Sequence, residues 1–89
     1  NIHSRSAELG YYLSEKYWGK GIMTAAVRML CNQIFAETDI MRIYAEVFEY
    51  NFSSRRVLEK CDFRFEGMLI NNAFKNGAVL NTALYAKTR

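Results

Sequence analysis

A run with apolar residues at helical steps, residues 21–37, stands between two strand-like runs, residues 7–13 and 42–48. That order constrains the fold more than any other feature. Two neighbouring strands joined through a helix run parallel, with a right-handed crossover. In the helix, Ile22, Ala25, Ala26, Met29, Leu30, Ile34 and Phe35 fall at steps of three and four and read as one apolar stripe. Arg28, Asn32 and Gln33 lie off it, and Thr38-Asp39 ends it. In the strand that follows, Ile43, Ala45 and Val47 share one face, and Tyr44, Glu46 and Phe48 the other. Both faces are largely apolar, as expected of a buried strand beside a helix. Glu46 interrupts the second face, and reads equally as a water-facing carboxylate or as a functional group.

The rest of the chain continues the alternation. Asn51 is a good N-cap for a second helix over 51–60, with Ser53 and Ser54 in its first turn. Val57 and Leu58 mark its buried side; Arg55, Arg56, Glu59 and Lys60 mark its wet side. Asp62 falls where a left-handed cap is convenient. Residues 63–70 read as a strand that 71–74 extend or twist. Lys75-Asn76-Gly77 is a hairpin turn with Asn-Gly at its tip, and 78–86 is the return strand. The expected fold is α/β, a mixed sheet in the order β-α-β-α-β-β with two open edges.

Where the first strand meets the first helix stands Trp18-Gly19-Lys20-Gly21-Ile22-Met23-Thr24. The first turn of a helix has unpaired N–H groups, and the helix dipole favours an anion there. Glycine lets a ligand approach the backbone closely, and Lys20 adds positive charge. A phosphate or pyrophosphate site is therefore expected. The stretch is neither a P-loop nor a completed dinucleotide fingerprint, and the bland reading is a helix start after a tight turn.

Eighty-nine residues make one small domain, which buries only a little over ~60% of its unfolded surface. Yet 51% of the residues are hydrophobic, including six Tyr, six Phe and one Trp. Disorder is excluded, and some apolar surface is expected to meet something outside this chain. The net charge of +3 suits an anionic ligand but is too small to indicate nucleic acid. Cys31 and Cys61 sit inside apolar patterns and read as buried thiols of a reducing compartment. His3 reads as solvated. No leader or membrane-spanning run is evident, so the cytoplasm is the expected location. The chain does not begin with Met, which suggests a fragment of a longer protein.

Taken together, the segments resemble the GNAT superfamily of acyl-CoA N-acyltransferases, in the branch of the RimJ/RimL-type ribosomal-protein N-terminal acetyltransferases. The resemblance rests on Glu8-Leu9-Gly10-Tyr11-Tyr12-Leu13, Tyr17-Trp18-Gly19-Lys20-Gly21 and Arg42-Ile43-Tyr44-Ala45-Glu46-Val47. It continues through Asn51-x-x-Ser54-x-x-Val57-Leu58-Glu59-Lys60, Phe63-Arg64-x-Glu66-Gly67, and the ending from Lys75-Asn76-Gly77 to Leu84-Tyr85-Ala86. Any one segment is modest evidence; the set in this order is strong.

The resemblance implies a role for individual positions. Trp18, Gly19, Lys20, Gly21, Ile22, Met23 and Thr24 would hold the pyrophosphate of acetyl-CoA. Met23 stands where the family keeps a small residue, so its side chain either crowds the phosphate or turns aside. Backbone groups of Tyr11 and Leu13 would pair with the pantetheine arm, one N–H doubling as an oxyanion donor. Asn51 would bond the pantetheine, and Ser54 would protonate the departing thiolate. Leu58 replaces the tyrosine that many relatives use for that step. Glu46 lies where some members keep the carboxylate that deprotonates the amine. The implied reaction is direct acetyl transfer from acetyl-CoA to a primary amine, either a protein N-terminus or a small amine, with no metal and no covalent intermediate.

The resemblance also implies that only the C-terminal, acyl-CoA-binding half is present, without the family's first strands and the two helices that wall the acceptor site. The absent half then belongs to the same protein or to another chain, or the chain pairs with itself. A non-catalytic CoA-binding or self-associating fragment is the alternative function. A nucleic-acid-binding domain, suggested by Arg55, Arg56 and the basic charge, lacks the expected basic stripe interleaved with aromatics.

Overall fold

A computed structural model describes residues 5–9 and 22–89. Its elements are β1 (Ser6–Glu8), α1 (Ile22–Glu37), β2 (Arg42–Phe48), α2 (Phe52–Lys60), β3 (Arg64–Lys75) and β4 (Ala78–Thr88). The four strands form one sheet in the order β1-β2-β4-β3. β1 and β2 are parallel, as a helical crossover requires, with Ser6 opposite Arg42 and Glu8 opposite Tyr44. The other two pairings are antiparallel. The mixed sheet with two edges, β1 and β3, is the architecture expected from the element order. The expected continuation of the first strand through 10–13 lies outside the described residues; Leu9, just past β1, is fully buried.

Both helices cover one face of the sheet. Their buried side is Met23, Val27 and Cys31 from α1 and Val57 and Leu58 from α2, packed on Ile43, Ala45, Ala83 and Tyr85 of the central strands. The stripe expected on α1 is out of phase. Ile22, Ala25, Ala26 and Met29 are exposed, while Met23, Val27 and Cys31 are buried, with Leu30, Ile34 and Phe35 partly so. The first half of this helix is apolar nearly all round, so two stripes compete, and contact with the sheet selects one. α2 behaves as read on its buried side, but Arg55 is half-buried rather than wet. Its guanidinium lies over the rings of Phe52 and Phe65 and donates to the Tyr85 hydroxyl and the Glu49 carbonyl.

The local chemistry explains the ends. The Asn51 side chain accepts from the Ser54 N–H at 3.3 Å and caps α2. Asp62 follows with φ +69°, the left-handed conformation expected there. Lys75 pairs with Ala78 across a two-residue turn in which Asn76 and Gly77 both have positive φ, as a tight hairpin of matching twist demands.

Cys31 and Cys61 are free and buried. Burial pushes the Cys31 thiol up from 9.0 to about 11, a rise that nearby Lys87 partly offsets and Cys61 adds to. The Cys61 thiol is raised for the same first reason. Raised native values mean that only the unfolded chain ionises its thiols readily. The stability that Cys31 contributes is complete below the ordinary thiol range and is lost as pH climbs through about 11, and Cys61 acts in the same direction. Denaturant unfolding at pH ~8 and pH ~10.5 is expected to show a lower free energy at the higher pH, with a smaller drop in Cys31→Ala. A flat profile would refute this linkage.

Candidate functional site

In a parallel βαβ arrangement, each helix starts at the carboxyl end of the strand before it, and ligands of open α/β sheets bind at that end. Here it gathers the start of α1, residues 22–24, and the start of α2 with its cap Asn51. Neither helix carries an acidic side chain in its first turn, so no carboxylate opposes an anion at either N-terminus. Tyr11, Leu13, Trp18, Gly19, Lys20 and Gly21 lie outside the described residues. Of the expected phosphate stretch, Ile22 is exposed, Thr24 is half-buried and Met23 is only 1% exposed. Met23 belongs to the core cluster, so its side chain turns aside, into the protein.

Two further links anchor this helix start. The Cys61 thiol donates to the Thr24 carbonyl at 3.3 Å, and Arg28 of α1 donates to the Lys60 carbonyl at 2.7 Å. The last turn of α2 is thereby tied to the first two turns of α1.

At the other helix start, Asn51 and Ser54 are brought together. Asn51 Oδ1 accepts from the Ser54 N–H and from the Ser53 hydroxyl. Ser54 is 1% exposed, so a group that meets its hydroxyl enters a closely covered place. Leu58, one helical turn further, is fully buried, which fits packing rather than chemistry.

Glu46 stands elsewhere. Alternation along β2 points Ile43, Ala45 and Val47 toward the helices and Tyr44, Glu46 and Phe48 away from them. Glu46 is exposed on that second face, opposite Leu84. Its Oε1 accepts from Asn72 Nδ2 at 2.7 Å, and the same nitrogen donates to Thr82 Oγ1 at 2.8 Å. So the sheet separates Glu46 from the helix layer that carries Ser54.

Asn72 and Thr82 were not legible as site residues. The signal available was the polar pair Asn71-Asn72 inside a strand, where alternation breaks. A groove lined by Asp62, Arg64, Glu66, Lys87 and Thr88 opens at the other end of the sheet, beside the Arg42–Glu66 ion pair, and holds none of the expected residues. Among the described residues, no group of three or more His, Cys, Asp or Glu is placed to hold a metal ion. None of the described helices is long and apolar enough to cross a membrane.

The class this architecture defines is a two-layer α/β domain with two helix N-termini at the carboxyl ends of a parallel strand pair. The family model described as acetyltransferase (GNAT) domain matches residues 1–64, and the chain belongs to that family. It is 44% identical over 73 residues to a probable N-acetyltransferase, YjcK, of Bacillus subtilis (strain 168), covering 82% of this chain and 40% of that protein. It is 30% identical over 84 residues to the ribosomal-protein-serine acetyltransferase of Escherichia coli (strain K12), covering 94% of this chain and 47% of that one. Among solved structures, the microcin C7 self-immunity acetyltransferase MccE in complex with acetyl-CoA and AMP superposes with a TM-score of 0.85 at 27% identity. That match covers 100% of this chain and 49% of the other. The chain thus spans about half the length of the proteins it matches, and its fold is that of the family over its whole extent.

Proposed function

We propose that this chain is the acyl-CoA-binding C-terminal half of a cytoplasmic N-acetyltransferase that moves an acetyl group from acetyl-CoA to a primary amine. The observation that carries this reading is the convergence of two acid-free helix N-termini at one end of the parallel strand pair, in a chain of the GNAT family. The two free, buried thiols agree with a reducing compartment.

In this reading the backbone at the start of α1, with Trp18, Gly19, Lys20 and Gly21 before it in the sequence, holds the pyrophosphate, and Ile22, Met23 and Thr24 contribute main-chain groups. Tyr11 and Leu13 pair with the pantetheine arm through their backbones, and Asn51 bonds it at the other side. An acceptor ammonium on the uncovered face gives a proton to Glu46 and becomes a neutral amine. Its lone pair forms the N–C bond, the thioester carbonyl becomes an oxyanion, and a backbone N–H stabilises it. As the tetrahedral intermediate collapses, the C–S bond breaks, the thiolate takes a proton from Ser54, and the second proton shed by the nitrogen as it becomes an amide restores the Ser54 hydroxyl. Positioning and the oxyanion donor supply most of the acceleration. The acceptor is a protein N-terminus or a small amine: relatives at 30% identity are named for a ribosomal-protein serine and for spermidine. The uncovered face of the sheet, with Tyr44, Glu46 and Phe48, is where the other half of the domain, or a second copy, would complete the acceptor site.

Calorimetric titration with acetyl-CoA, and in parallel with a pantetheine thioester lacking the phosphates, tests the donor site. Binding that needs the phosphates is expected. Equal affinity for both compounds would remove the anion site from the start of α1. Absence of binding by the folded chain, repeated on the longer protein, would refute the reading.

A further inference from the structure

β3 does not run evenly beside β4. Leu69 is opposite Thr82 and Ala73 is opposite Leu80, so β3 spends four steps where β4 spends two. The two extra residues make a bulge over 70–72. At its centre Asn71 has φ +55°, a conformation L residues adopt rarely and Asn more readily than most. The bulge is also supported from outside. The Asn71 N–H donates to Asn81 Oδ1 at 2.9 Å, and Asn81 Nδ2 donates to Glu49 Oε1 at 3.1 Å. The Glu49 N–H returns to the Asn81 carbonyl at 3.0 Å. A side chain of β4 thus satisfies the backbone donor that the bulge removes from the ladder.

The consequence appears one residue on. Asn72, on an edge strand, reaches across β4 to Glu46 on β2. Its Nδ2 carries two hydrogens and uses them in two directions, to Thr82 Oγ1 at 2.8 Å and to Glu46 Oε1 at 2.7 Å. Thr82 is nearly buried, so it is a fixed acceptor that orients the amide. The amide in turn holds one oxygen of a carboxylate that is otherwise exposed.

We propose that Asn72 is a positioning residue for Glu46, and that the β3 bulge serves to deliver its amide across the sheet. This rests on the reading of Glu46 as the base. With Oε1 held by Asn72, the carboxylate keeps one rotamer, and Oε2 is the oxygen left to take the amine proton. Without Asn72, a solvated glutamate samples several rotamers, and only a fraction place a carboxylate oxygen against the amine.

A double-mutant cycle in the full-length enzyme tests this, with kcat and KM for acetyl-CoA as readouts. Asn72→Ala is expected to lower kcat about 10- to 100-fold with KM for acetyl-CoA unchanged, and to lower it no further in a Glu46→Gln background. Asn72→Asp, similar in shape but without the donors, is expected to lose at least as much, which guards against a packing effect of the shorter side chain. An equal loss in both backgrounds, a change in KM alone, or full activity of Asn72→Ala beside an impaired Glu46→Gln would overturn the proposal while leaving Glu46 as base. Full activity of Glu46→Gln would overturn both.

Discussion

Glu46→Gln in the full-length enzyme is expected to lower kcat by about 10²- to 10⁴-fold, the usual worth of a positioned general base, with KM for acetyl-CoA little changed. The amide keeps the shape and one oxygen for Asn72 but has no basic lone pair for an ammonium proton. Because the carboxylate lies on the face away from the helices, its loss does not disturb the helix starts where the donor would sit. Ser54→Ala is expected to act from the other side, lowering the rate of thiolate expulsion while the Asn51 cap remains, since that cap uses the Ser54 N–H and not its hydroxyl. Steady-state and single-turnover kinetics check both. Unchanged turnover in Glu46→Gln would return this carboxylate to the water-facing group that the sequence equally allowed.

Leu58→Ala is expected to cost about 2–5 kcal/mol of stability, from lost transfer energy and the cavity left behind. Leu58 is fully buried and belongs to the same core cluster as Met23, Val27, Ile43 and Tyr85. A small domain has only ~5–15 kcal/mol in total, so the variant would be close to unfolding at moderate temperature. Leu58→Met, nearly equal in volume, is expected to cost less than ~1.5 kcal/mol. Denaturant unfolding of both variants measures the difference. If Leu58→Ala lost under ~1 kcal/mol, the residue would not be the helix–sheet contact described here.

The network around Tyr85 shows a different kind of dependence. This fully buried tyrosine donates to Glu59 and accepts from Arg55, and Arg55 also holds the Glu49 carbonyl just before the α2 cap. Burial raises the Tyr85 hydroxyl above its ordinary range. The β2–α2 connection that presents Asn51 and Ser54 is therefore held from the core by a side chain near the far end of the chain.

Much was legible from the residues. Each element was, because local rules decide them: the helix between two strands forced a parallel pair, Asn51 announced its cap, and Asn76-Gly77 announced its turn. Family membership was legible as well, since ordered short motifs survive where no single one suffices. Periodicity puts Ile22, Ala25, Ala26 and Met29 on the wrong side of α1 because a helix apolar nearly all round has no unique moment. Only packing against Ile43 and Tyr85 chose the Met23–Val27–Cys31 side. The spacing puts Arg55 on the wet side, yet it is half-buried because Phe65 and Tyr85 of β3 and β4 join its near neighbours Phe52 and the Glu49 carbonyl around it. Asn72 carried no local signal beyond a break in alternation. Its meeting with Glu46, 26 residues away, exists only once two strands are paired and a bulge sets their register. Periodicity and capping are written over a few neighbouring residues, and the sequence alone determined them. Helix phase and side chains meeting across the sheet depend on contacts between distant residues, and the tertiary structure decided those.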